Sequence, residues 1–176
     1  KISSKKKILF SIIIPTYNSS KFIGECVSSI INYKYNFEYE ILIIDDCSLD
    51  NTVSKITKIS KMHKQVKIFI NKKNSGPGIS RNLGIIKSKG EFLIFLDSDD
   101  TIVPGSLKNL SKIIKQNNYA KLIINNSVRN KPPFNDNHLF YLFNSKEIAT
   151  KVFLKKSVKY NIHIDEVWKL VVKKNF

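Results

Sequence analysis

Three carboxylates fall within four positions at Asp97, Asp99 and Asp100, directly after the apolar run FLIFL. Acids this close repel one another unless a cation stands among them. Two of them one residue apart at a strand end, as in Asp97-Ser98-Asp99, offer hard oxygens to a divalent ion such as Mg²⁺ or Mn²⁺. An ion held in that way keeps coordination positions for water and for substrate phosphate, and it makes a diphosphate a good leaving group. Two more polar clusters follow apolar runs: Pro15-Thr16-Tyr17-Asn18 and Asp45-Asp46-Cys47-Ser48. Any one of these clusters alone reads best as a turn or helix cap, a common use of Asp and Ser. Three of them in equivalent places point to a site.

The elements around them must place those clusters together. ILFSIII (8–14), YEILIIDD (39–46), VKIFIN (66–71) and FLIFLD (92–97) are short apolar runs of strand length. Between them lie helical patterns. Phe22, Cys26, Val27, Ile30 and Ile31 mark one helix, with Ser19 or Ser20 as its cap. Val53, Ile56 and Ile59 mark a second, capped by Ser48 or Asp50. Ile79, Leu83 and Ile86 mark a third, opened by the loop Asn74-Ser75-Gly76-Pro77-Gly78. A fourth carries Leu107, Leu110 and Ile113 inward, with Pro104 in its first turn. Strands alternating with helices predict an α/β fold with a doubly wound, mostly parallel sheet. In such sheets ligands bind at the carboxyl ends of the strands where strand order reverses. All three polar clusters line one crevice if the first and fourth strands are neighbours. Beyond Arg129 the pattern changes. Residues 119–128 read as a further strand, YLF (141–143) as a short one, SKEIATKVFLKK as a helix, and the final IDEVWKLVVKKNF as either helix or strand.

The 176 residues suit one compact domain, and a hydrophobic content of 42% supports a packed core. No apolar run approaches the roughly 20 residues that cross a bilayer. The basic start KISSKKKILF reads as a lead-in to the first strand, because Pro15 and Tyr17 cut its apolar part short. Cys26 and Cys47 match no metal-ligand spacing and no disulfide framework, which favours a reducing compartment. The net charge is +16, almost all of the excess lysine, with Arg81 and Arg129 the only arginines. Diffuse lysine without arginine forks argues against nucleic acid as partner and fits a solvated surface, or one near an anionic membrane.

FSIIIPTYN, EILIIDDCSLDNT, NSGPGISRNLGI and GEFLIFLDSDDTIVPGSL, in that order, resemble the GT-A glycosyltransferases of family 2, which invert configuration and use nucleotide-diphosphate sugars. The resemblance covers residues 8–112. It implies a GT-A fold with a nucleotide-sugar-binding half over residues 1–128 and the start of an acceptor-side half over 129–176. It implies that Pro15, Thr16 and Tyr17 line the base pocket, that Asp46 accepts a hydrogen bond from the base, and that Arg81 reaches the base or the diphosphate. Asp97 and Ser98 would face ribose and metal, and Asp99 would ligate Mn²⁺ or Mg²⁺ directly. The expected donor is a UDP-sugar and the expected acceptor a polysaccharide or glycolipid. The enzyme would be cytoplasmic, with peripheral contact at the inner face of an anionic membrane.

An inverting transfer also needs a base for the acceptor hydroxyl. In this family it is an Asp, usually in a Glu-Asp pair. EVWKLVVKKNF resembles the segment that precedes that pair, although Leu170 stands where Lys is frequent. The base is therefore expected beyond Phe176, with Asp165 as the alternative inside the chain and Asp136 and His138 as weaker ones. Three competing readings are a haloacid-dehalogenase-like phosphatase using Asp97 and Asp99 of Asp97-Ser98-Asp99-Asp100-Thr101, a receiver-type signalling module, and a nucleic-acid binder. The phosphatase reading requires its motif on the leading strand, and here it follows the fourth.

Overall fold

In a computed structural model of the chain, residues 7–116 are described, together with strand segments at 122–125, 140–143 and 170–173. The strands are β1 (Ile8–Thr16), β2 (Glu38–Asp45), β3 (Val66–Ile70), β4 (Phe92–Phe95), β5 (Leu122–Asn125), β6 (Phe140–Phe143) and β7 (Leu170–Lys173). The helices are α1 (Ile23–Ile31), α2 (Thr52–Met62), α3 (Pro77–Lys87) and α4 (Ser106–Gln116). The strands form one sheet in the order β3-β2-β1-β4-β7-β5-β6. β1, β2, β3 and β4 are parallel, with Ile12 beside Ile41 on one flank and beside Ile94 on the other. β7 runs antiparallel to both β4 and β5, and β6 antiparallel to β5. The last segment, ambiguous in sequence, thus contributes a strand.

Covering both faces of the parallel strands explains their unbroken apolar text, since buried parallel strands lack the alternation of half-exposed ones. On one face Phe10, Ile12, Ile14, Ile41 and Ile43 pack with Ile23, Val27 and Ile30 of α1, Ile56 of α2, and Leu107, Leu110 and Ile114 of α4. On the other, Ile13, Leu42, Ile44, Leu93 and Phe95 pack with Leu83 and Ile85 of α3. The chain winds β1-α1-β2-α2-β3 on the first face. It then crosses back over β2 and β1 through α3 to reach β4 on the far side of β1. Strand order therefore reverses between β1 and β4, and their adjacency is the arrangement that the three polar clusters require.

Several local expectations are corrected. Neither Ser19 nor Ser20 caps α1 with its side chain. The N-cap is Phe22, itself half exposed, and the Ser19 carbonyl accepts the Phe22 and Ile23 N–H groups. Pro104 lies in the turn before α4 and not in its first helical turn. Ile79 and Ile86 are exposed, and α3 buries Ser80 and Gly84 instead. The reason is close approach: a Cβ on Gly84 would stand 2.3 Å from Ile13 Cγ2, so the helix packs its smallest side against the sheet. The helix expected at SKEIATKVFLKK lies outside the described residues.

Candidate functional site

β1, β2 and β4 end side by side, and their last residues are stitched together by backbone bonds. The Asp46 N–H donates to the Thr16 carbonyl at 2.8 Å, and the Leu96 N–H to the Ile13 carbonyl at 3.0 Å. The loops after β1 and β2 are tied further. The Asn18 N–H donates to Ser48 Oγ (2.9 Å), and the Leu49 N–H donates to Asn18 Oδ1 (2.8 Å). Asn18 and Cys47 both adopt positive φ, 47° and 64°. That conformation suits Asn, but it strains Cys, and such strain collects at functional rims.

Pro15 and Thr16 are buried, so the exposed face at the end of β1 is the ring of Tyr17, 44% exposed. Of the acid pair, Asp45 turns inward and accepts the N–H (2.9 Å) and the hydroxyl (2.6 Å) of Ser48. Asp46 is buried against the loop that opens α3. It accepts from Asn71 Nδ2 (2.7 Å), from the Ser75 N–H through both oxygens (3.1 and 3.0 Å) and from the Gly76 N–H (2.7 Å). Burial pushes this carboxyl up, but the hydrogen bonds from Asn71, Ser75, Gly76 and Ser80 outweigh it and hold the group below its ordinary value. Asp46 thus serves as an internal anion at the N-terminus of α3. Asn71, Ser75 and Gly76 were missed as contributors in the sequence. The one available signal was the Asn/Ser/Gly-rich loop, which marks a turn without naming its anchor.

At the end of β4, Asp97 is ion-paired with Arg81, Nη2 to Oδ1 at 2.7 Å. Its carbonyl accepts the Asp100 N–H (3.1 Å) and the Cys26 thiol (3.6 Å). Ser98 is nearly buried, its hydroxyl 2.7 Å from that of Ser19. Asp99 is exposed at the rim. Burial, with the carboxylates of Asp100, Asp99 and Asp97 nearby, pushes the Cys26 thiol up to about 12, so it stays a neutral structural group. Cys26 and Cys47 are both free.

Among the described residues the cation paired with the acidic turn is the Arg81 guanidinium, which α3 brings from the face of the sheet opposite α1. Tyr17 follows β1, Asp46 follows β2, and Asp97, Ser98 and Asp99 follow β4, with Arg81 of α3 paired to Asp97. Asp136, His138 and Asp165 lie outside the described residues. Among the described residues no three His, Cys, Asp or Glu side chains are grouped to hold a metal, and no helix is long and apolar enough to cross a membrane.

The family model described as glycosyl transferase family 2 matches residues 11–166. The chain belongs to that family. Two named members show how it is populated. The poly(ribitol-phosphate) beta-N-acetylglucosaminyltransferase TarS of Staphylococcus aureus is 36% identical over 117 residues, covering 65% of this chain and 20% of that one. The poly(ribitol-phosphate) beta-glucosyltransferase of Bacillus spizizenii is 38% identical over 109 residues, covering 61% and 17%. The crystal structure of S. aureus TarS 1–349 in complex with UDP-GlcNAc superposes with a TM-score of 0.64 at 32% identity, over 73% of this chain and 37% of that one. The family 2 chain described here has the GT-A fold and spans less than two fifths of each of these relatives.

Proposed function

We propose that this chain forms the donor side of an inverting glycosyltransferase that takes a sugar from a UDP-sugar with the help of a divalent metal. The observation that carries the reading is the Arg81–Asp97 ion pair beside the strand-order reversal of a family 2 chain, with Tyr17 and Asp99 exposed after the neighbouring strands β1 and β4. Tyr17 would lie against the base, with the buried Pro15 and Thr16 holding the end of β1 beneath it. Asp46 would accept from the base, and its ties to the α3 loop fix its position for that. Arg81 would bind the diphosphate, and Asp97 and Ser98 the ribose. The UDP-GlcNAc held by the TarS structure favours uridine as the base.

Asp97 and Asp99 suit Mg²⁺ or Mn²⁺ by donor chemistry, since both supply hard carboxylate oxygens at an exposed rim. With only these two side chains, the remaining ligands would be diphosphate oxygens and water. When bound, the metal would neutralise the leaving diphosphate. The acceptor would be a polysaccharide or glycolipid. The two named relatives act on poly(ribitol-phosphate), and a +16 chain suits an anionic polymer of that kind. We place the enzyme in the cytoplasm, in peripheral contact with the inner membrane face. The phosphatase alternative is not favoured, because Asp97 is held by Arg81 and follows the fourth strand.

Calorimetric titration of UDP in the presence of Mn²⁺, repeated with EDTA and with GDP, tests this. Metal-dependent binding of UDP in preference to GDP is expected. Equal binding with EDTA would remove the metal, and preference for GDP would remove the uridine assignment.

A further inference from the structure

The side-on edge of a guanidinium presents Nε–H and Nη2–H together, spaced for two oxygens of one carboxylate or phosphate. In Arg81 that edge is half used. Nη2 donates to Asp97 Oδ1 at 2.7 Å, while Nε is buried with no hydrogen-bond partner. A buried N–H without an acceptor is costly, so this pair is poorer than the one a phosphate could make with the same edge. The two partners also differ in freedom. Asp97 has its backbone fixed by Cys26 and Asp100, and its neighbour Ser98 by Ser19. Arg81 reaches it on a long, flexible stem from α3. The side chains remain 22% and 29% exposed, so a ligand can reach both.

We propose that the Arg81–Asp97 ion pair keeps the acidic turn closed to a divalent cation until a donor diphosphate draws the guanidinium away. This rests on the donor-site reading above. Arg81 takes up an oxygen of Asp97 and places a positive charge where a second cation would sit, so metal alone meets repulsion and one fewer ligand. A diphosphate offers Nε and Nη2 two oxygens at once, and the released Asp97 joins Asp99 as a ligand. Diphosphate and metal then bind with positive coupling, each raising the affinity of the other.

The test is Mn²⁺ binding to the 176-residue chain, read by the electron paramagnetic resonance of free Mn²⁺, without nucleotide and with UDP or inorganic pyrophosphate. Wild-type protein without nucleotide should bind Mn²⁺ weakly. Arg81→Gln should bind it roughly three- to tenfold more tightly, the scale for removing a partly exposed cation from a carboxylate. The gain should vanish in the Arg81→Gln/Asp97→Asn double variant. UDP and pyrophosphate should each raise Mn²⁺ affinity more in the wild type than in Arg81→Gln. A misfolded chain would not yield such a gain, and Arg81→Met, which keeps the apolar stem, gives the same readout if Arg81→Gln does not fold. Unchanged or weaker Mn²⁺ binding by the folded variants, with wild type still binding UDP and metal, would overturn the latch and leave the donor reading intact. Wild type that binds neither UDP nor pyrophosphate at any Mn²⁺ concentration would overturn the donor reading itself.

Discussion

The Gly76 N–H donates to the Asp46 carboxylate at 2.7 Å, joining residues 30 apart in the chain and fixing the start of α3 to the end of β2. Gly76 has φ 87°, which an L side chain rarely adopts, so the chain can turn from this bond into α3. The helix that delivers Arg81 to the crevice is therefore held by the same acid that sits in it.

Asp46→Asn should cost about 1–3 kcal/mol in stability, because an amide places a donor against the Ser75 and Gly76 N–H groups. UDP affinity should fall with it. Urea unfolding and UDP titration of the same sample would check both, and wild-type stability would show that Asp46 does not anchor the loop.

The same carboxylate makes stability depend on pH. Its folded pKa lies below the ordinary value of 3.8, so its contribution is complete at neutral pH and is lost as pH falls through 3.8 toward the depressed value. Glu40 acts in the same direction. Burial pushes its carboxyl up, but hydrogen bonds from Lys67, Ser11 and the Lys89 N–H hold it below normal. Urea midpoints should be flat from about pH 5 to 7 and should fall below about pH 4. Much of that fall should be missing in Glu40→Gln, which is already less stable at pH 7.

Gly90 and Gly78 should respond oppositely to alanine. A Cβ on Gly90 would lie 2.5 Å from the Ser11 backbone nitrogen and 2.6 Å from its hydroxyl, in the network that Glu40 organises. Backbone cannot yield as a side chain can, so Gly90→Ala should destabilise by about 2 kcal/mol or more. Gly78 has open space around it within α3, and Gly78→Ala should be neutral or stabilise by up to about 1 kcal/mol. Thermal melts of the two variants would decide it.

Asp99 and Tyr17 are exposed, so their loss should separate binding from folding. Asp99→Ala should keep the wild-type melting temperature and lose metal-dependent UDP binding. Tyr17→Ala should keep both fold and metal response while UDP affinity falls about tenfold or more, the scale of one base stacked on an aromatic ring. A matching loss of melting temperature in either variant would show a structural role instead.

The four parallel strands, their intervening helices and the three polar clusters were legible because each depends on local pattern. A buried parallel strand must be apolar throughout, and the residues after it must turn the chain. The adjacency of β1 and β4 stood only as the condition under which those clusters share a crevice, and the sheet order meets it. Features set by packing were not legible. Ile79 and Ile86 have helical spacing but face outward, because Gly84 lets α3 settle against Ile13 on a different side. Ser19 looked like a cap and instead faces Ser98, 79 residues away.

The sequence by itself determined the fold family, the four parallel strands with their helices, and the polar clusters that follow three of those strands. Tertiary structure alone decided what those residues face. α3 crosses back over β2 and β1, and that crossover sets Arg81 against Asp97 and the Ser75–Gly76 backbone against Asp46. A hydrogen bond between loops 16 or 30 residues apart leaves no periodicity in the chain. It exists only because α3, packed across one face of the sheet, starts at the edge where β2 and β4 end.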